Sequence, residues 1–133
     1  MKKVRRKLVR ENAVIAIYQY LLVQASMDEI KNFLKDTEVS KDGDDYQSCL
    51  TMINTVVENK DQYESLLQKK LKKKWVISRL AMMDQAILFV ATAELLDFNE
   101  DKEVVVNEAV ELAKKYCDED AYKYINGVLY DVI

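Results

Sequence analysis

The side chains with chemistry to offer sit near the two ends of this chain. Lys2, Lys3, Arg5, Arg6, Lys7 and Arg10 place six cations in the first ten residues. Ammonium and guanidinium groups bind phosphates through charge and, for arginine, through a planar fork of N–H donors. The formal net charge is nevertheless −3, so a basic start precedes an acidic body, an arrangement that binds a polyanion locally without coating the whole surface. Cations at the head of a helix also oppose its dipole, and that cost makes their clustering more informative. Near the other end, Tyr122, Lys123, Tyr124 and Tyr130 interleave rings with a cation. Tyr122 and Tyr124 cannot share one helix face at a spacing of two, so at least one is expected to approach solvent, whereas Tyr130 reads as core. Trp75 follows Lys72, Lys73 and Lys74. A stacking role competes there with that of a ring packed between subdomains, and the packed ring is the preferred reading.

Catalytic chemistry finds little support. The 133 residues include no histidine, which removes the commonest general base and denies Cys49 and Cys117 a Cys–His pair. No Gly-rich phosphate loop, H-E-x-x-H or C-x-x-C string occurs. Glu108 and Glu111 lie one turn apart and read as a solvated face or cap partners. Asp42, Asp44 and Asp45 around Gly43 miss the spacing of a calcium loop and read as a solvated turn. The expectation is a protein that is not an enzyme and uses no metal or cofactor. Two isolated thiols, no signal peptide and no apolar run of about 18 residues predict buried free cysteines, a cytoplasmic location and no membrane partner.

Long helices must position these groups. There are no prolines and two glycines, and 50% of the residues are hydrophobic, enough for a core without disulfides. The spacing of Val4, Leu8, Ile15, Tyr18 and Leu22 predicts a first helix to about Val23. Ser26 with Glu29 makes a capping box for a second. Residues Asp36 to Asp45 read as a surface loop. A third helix would carry Tyr46, Cys49, Leu50, Ile53 and Val57 inward, and Asp61 with Glu64 would open a fourth that ends near Lys72 to Lys74. Ser78 would cap a fifth, and two amphipathic helices would follow, one with Val106, Val110, Ala113 and Cys117 inward, the other with Ala121, Ile125, Val128, Leu129 and Val132 inward. The count is about seven, in an all-α chain. Gly127 in the last helix suggests a neighbour too close to admit a Cβ.

Three strings carry a resemblance: Arg10, Glu11, Ala13, Tyr18 and Gln19 near the start; Trp75, Arg79, Leu80, Ala86, Ile87 and Leu88 in the centre; and Asn107 to Lys114 (NEAVELAK) with Asn126 to Leu129 (NGVL) near the end. In order and spacing these resemble the NusB family of bacterial transcription antitermination factors, over nearly the whole chain. Phe89 stands where the family usually has arginine, Ala93 replaces a common aromatic, and no proline precedes the NEAVEL helix. The resemblance implies one domain over residues 1–133 built as two packed helical subdomains, about 1–60 and 61–133. It implies binding of boxA-type single-stranded RNA from nascent ribosomal transcripts together with ribosomal protein NusE, tethering that RNA to the elongating RNA polymerase complex. By that resemblance Lys2, Lys3, Arg5, Arg6, Arg10, Asp120 and Tyr124 are the RNA-binding candidates, with Tyr124 as a stacking platform. Tyr18 and Asp84 match positions at the NusE contact, although Tyr18 also lies on an apolar stripe.

Two other readings compete. The fold also occurs as an accessory domain of some ribosomal RNA cytosine methyltransferases, but only four residues follow Leu129, with no Gly-rich strand-turn-helix for a methyl donor. A helical homodimer is the structural alternative. The unbroken stripes and lone thiols together predict a far-UV circular dichroism spectrum that is helical and unchanged by reductant; appreciable strand signal, or loss of fold on reduction, would contradict the reading.

Overall fold

The computed structural model describes residues 4–133. The first helix, α1 (Arg6–Val23), ends where Gln24 adopts a left-handed conformation at φ 54° and donates its N–H to the Tyr20 carbonyl, which satisfies an orphan acceptor of the last turn. The expected capping box opens α2 (Met27–Lys35): the Ser26 hydroxyl accepts from the Glu29 N–H, and the Glu29 carboxylate accepts from the Ser26 N–H. A short 3-10 turn, Glu38–Lys41, occupies the predicted surface loop. Asp42 then caps α3 (Gly43–Lys70) by accepting from the N–H groups of Asp44 and Asp45.

The expected third and fourth helices are one, and α3 runs unbroken for 28 residues. Asp61 with Glu64 suggested a new helix start, yet no helix breaker directly precedes them. The Thr55 hydroxyl donates to the Thr51 carbonyl and the Asn59 amide donates to the Thr55 carbonyl, each at 2.8 Å, so these side chains bond along the helix instead of interrupting it. A boundary drawn at 60/61 falls inside α3, and the buried side chains form one continuous cluster. Ser78 lies within a second 3-10 turn, Ile77–Arg79, instead of capping a helix. The next helix, α4 (Met82–Asp97), begins only after Ala81. It is followed by α5 (Lys102–Tyr116), capped by Asp101, and α6 (Ala121–Tyr130). The described residues thus hold six α-helices and no strand.

Burial explains the layout. From Ala86 to Leu95, α4 is buried on every face, because α1, α3, α5 and α6 all pack on it; a helix apolar all round belongs at a centre. Phe89 and Ala93 fit that position. Phe89 is fully buried, and the Lys60 ammonium lies 5.6 Å from its ring centroid, so a cation from α3 covers the position where the family usually carries its own. Cys49 and Cys117 are free. Burial pushes the Cys49 thiol up to about 12, which leaves it protonated and unreactive at neutral pH.

Charge pairs hold α1 to three other segments. Arg10 is 4% exposed, and its guanidinium grips Glu94 of α4 through Nε at 2.8 and 2.9 Å and through Nη2 at 2.7 Å. Burial raises the Glu94 pKa, and the guanidinium works against that shift. Arg5 donates its backbone N–H and its Nε–H to the Asp45 carboxylate at 3.0 and 2.8 Å, and these bonds hold Asp45 below the usual carboxylate range. Asp45 is therefore a buried anchor, not part of a solvated turn. Glu11 accepts from Lys115 at 2.5 Å and from the Tyr116 hydroxyl, tying α1 to α5.

Two core readings are corrected. No atom lies within 4 Å of the position a Cβ would take at Gly127, so no close neighbour requires the glycine. Tyr130 is 43% exposed with the Lys102 ammonium 5.0 Å from its ring, a surface cation–aromatic contact and not a core ring.

The pair and the glycine generate opposite expectations. Arg10→Ala strands a buried carboxylate and should cost about 3–5 kcal/mol of unfolding free energy, whereas replacing both partners, Arg10→Met with Glu94→Leu, should cost far less. Chemical denaturation of the three proteins checks this; similar losses in the single and double variants would contradict it. Gly127→Ala should raise stability by up to about 1 kcal/mol through helix propensity, and a lower melting temperature would show that something does crowd this site.

Candidate nucleic-acid interface

The basic start does not form a free arm. Among its described cations, Arg5 pairs with Asp45, Arg6 with Glu100, Lys7 with Glu108 at 3.4 Å, and Arg10 with Glu94. Arg5, Arg6 and Lys7 keep much of their side chains in solvent, so their outer N–H groups stay accessible. Arg10 does not: buried, with its Nε and Nη2 held by Glu94, it is withdrawn from the surface, and its expected RNA contact is replaced by a structural role. Lys2 and Lys3 lie outside the described residues.

Cations without an acidic partner gather elsewhere. Lys69, Lys70, Lys72, Lys73 and Lys74 are exposed, and among the described residues none of them forms an ion pair. They close α3 and lead into the segment before α4. Lys74 sits at φ 82°, a left-handed conformation that non-glycine residues seldom adopt, and it turns the chain so that Trp75 follows. The Gln68 side chain then clamps that segment, donating to the Trp75 carbonyl at 2.6 Å and accepting from the Ile77 N–H at 2.9 Å.

Trp75 is 41% exposed, not packed between subdomains. Its ring meets Tyr124 of α6 edge-to-face, with centroids 5.0 Å apart and planes at 70°, a favoured aromatic geometry. The two rings border a cleft of about 500 Å³ that Lys70, Lys72, Asp120, Lys123 and Gly127 also line. Here the glycine has a use: the missing side chain keeps this stretch of α6 open beside the rings. Asp120 and Tyr124 thus line the same cleft, with Asp120 exposed and 3.3 Å from the Lys123 ammonium. Reading the sequence weighed a stacking role for Trp75 after Lys72, Lys73 and Lys74 but preferred a packed ring, and did not join these residues to Tyr124. The signal was the KKKW string itself, which places cations directly beside a ring.

Asp84 is not at the surface. It is 7% exposed in the first turn of α4, and its Oδ2 accepts the Tyr124 hydroxyl proton from beneath. Burial and then this carboxylate raise the Tyr124 pKa, so the phenol stays protonated at neutral pH. The proposed partner contact of Asp84 is therefore replaced by an internal one. Tyr18 is half-buried against the core, where its place on the apolar stripe puts it. The exposed apolar residues of this region are Leu22 and Val23 on the last turn of α1, and Met82 at the start of α4; Met82 borders a cleft with Tyr20, Leu21, Glu58 and Asp61. Among the described residues no cluster of acidic or thiol side chains could hold a metal ion, and no helix is long and apolar enough to cross a membrane.

Known proteins are similar to this chain in sequence and in fold. The NusB family pattern matches residues 7–133. The transcription antitermination protein NusB of Staphylococcus carnosus is 38% identical over 130 residues, covering 93% of this chain and 95% of that protein. Among solved structures, NusB from T. maritima superposes with a TM-score of 0.88 at 27% identity, covering 98% of this chain and 92% of that one. A complex of antitermination factors NusB and NusE with double-stranded RNA contains a chain that matches with a TM-score of 0.85 at 28% identity, covering 96% and 94%. Sequence, helix order and three-dimensional superposition agree, and the chain belongs to the NusB family of transcription antitermination proteins.

Proposed function

We propose that this protein binds boxA-type single-stranded RNA of nascent ribosomal transcripts, acts with NusE to tether that RNA to the elongating polymerase, and so favours antitermination in the cytoplasm. The observation that supports this reading most is the juxtaposition of Trp75 and Tyr124 with lysines that lack acidic partners. Rings supply faces on which bases stack, and uncompensated ammonium groups supply the salt-dependent grip on phosphates. The related complex of NusB and NusE with double-stranded RNA supports RNA and NusE as classes of partner. Arg5 and Arg6 offer further exposed cations, Lys2 and Lys3 stay candidates by family resemblance alone, and Asp120 with Lys123 borders the cleft. The apolar residues Leu22, Val23 and Met82, with Tyr18 behind them, are the surface offered to NusE. We read the chain as a binding protein and not an enzyme, as its similarity to transcription antitermination proteins suggests.

Binding of a boxA-like and a scrambled strand, measured across salt concentrations with and without NusE, tests this. Each lost phosphate contact to a single strand should flatten the slope of log affinity against log salt by about 0.7. Replacing Lys70, Lys72, Lys73 and Lys74 by alanine should therefore flatten it by up to roughly three units for both strands. Trp75→Ala should instead lower affinity by about 1–3 kcal/mol with the slope nearly unchanged. Full affinity and slope in both variants, with NusE present, would place the RNA site elsewhere.

A further inference from the structure

We infer that Asp84 is a positioning residue for RNA binding: from beneath the cleft it fixes the Tyr124 ring in the orientation that faces Trp75. This inference rests on the reading of the Trp75–Tyr124 corner as the RNA platform. Three observations carry it. Asp84 is buried at the start of α4, and its Oδ2 accepts the hydroxyl proton of Tyr124, which belongs to α6. Its other oxygen, Oδ1, accepts no hydrogen bond, so the tyrosine hydroxyl is the main compensation for burying this carboxylate, with the half-buried Cys117 thiol beside it. Tyr124 in turn meets the Trp75 ring at 70°, and Trp75 is held on its own side by the Gln68 clamp.

A buried carboxylate with one oxygen unsatisfied is expensive. Its place in the first turn of α4 recovers part of that cost through the helix dipole, but a side chain reaching solvent there would do the same without burial. What the buried position adds is a fixed point for the phenol. A tyrosine tied at its hydroxyl and braced by a second ring loses little freedom when a base stacks on it, and binding is stronger for that lower ordering cost. Asp84 touches no RNA in this arrangement; it acts through Tyr124.

The test uses the full chain, a boxA-like single strand as the probe, and the emission of Trp75, the single tryptophan of the protein. Asp84→Ala should weaken RNA binding about three- to tenfold, leave the salt slope unchanged and shift Trp75 emission. Asp84→Asn, which keeps an acceptor for the hydroxyl, should restore most of the affinity and the parent spectrum. Tyr124→Phe should reproduce the loss, and adding Asp84→Ala to it should weaken binding no further. Because the alanine variant removes a buried group, thermal melting accompanies each measurement, and the asparagine and phenylalanine variants decide the matter if it is poorly folded. Parent-like affinity in Asp84→Ala, with Trp75→Ala clearly weakened, would overturn the positioning role alone. Loss of NusE binding by Asp84→Ala with RNA affinity intact would overturn it in favour of a protein contact. Unchanged affinity in both Trp75→Ala and Tyr124→Ala would overturn the platform reading, and this inference with it.

Discussion

The buried pair between Arg10 and Glu94 is the constraint from which much of this structure follows. Neither group tolerates the interior alone, since an unpaired charge there costs several kcal/mol, so the second turn of α1 and the last turns of α4 must meet face to face and in register. The cluster around α4 then fills the space this contact defines. Around this contact, Arg5 just ahead of α1 and Arg6, Lys7 and Glu11 on different faces of its first two turns are each bound to an opposite charge on another segment. A basic stretch that looks like a binding arm is thus also a set of fasteners.

This divides electrostatic labour along the molecule. Paired cations have their field largely cancelled at a distance, and their attraction for a polyanion is correspondingly reduced. Lysines at the end of α3 keep theirs. On a protein of net charge −3, a short uncompensated run beside two rings gives a focused positive site on a surface that otherwise repels nucleic acid. The left-handed Lys74 and the Gln68 clamp show that the backbone bends at some cost to present that ring.

Periodicity made most of the fold legible. The stripe of α1, the Ser26–Glu29 box and the two amphipathic C-terminal helices all stand where spacing put them, because these patterns are local. What failed was information held across the chain. Nothing near Arg10 announces that its partner lies 84 residues away, and a basic neighbourhood made a surface role the natural inference. Asp84 was misplaced for the same reason, since only the fold brings Tyr124 over it. Asp61 with Glu64 has the spacing of a helix start, and α3 passes through it because acidic residues on a helix face are ordinary. Gly127 was read from its missing Cβ as evidence of crowding, when in the fold it marks an opening.

The continuity of α3 has a geometric consequence. Asp45, which holds Arg5, sits in its first turn, and Lys70 is its last residue; at 1.5 Å per residue these points lie roughly 38 Å apart along one rod. No flexible joint between them can shorten that distance. A single strand that touches both the exposed edge of Arg5 and the aromatic cleft must bridge the whole rod, so the helix acts as a ruler. Contour length then becomes a criterion of selection in its own right, independent of the bases the strand carries.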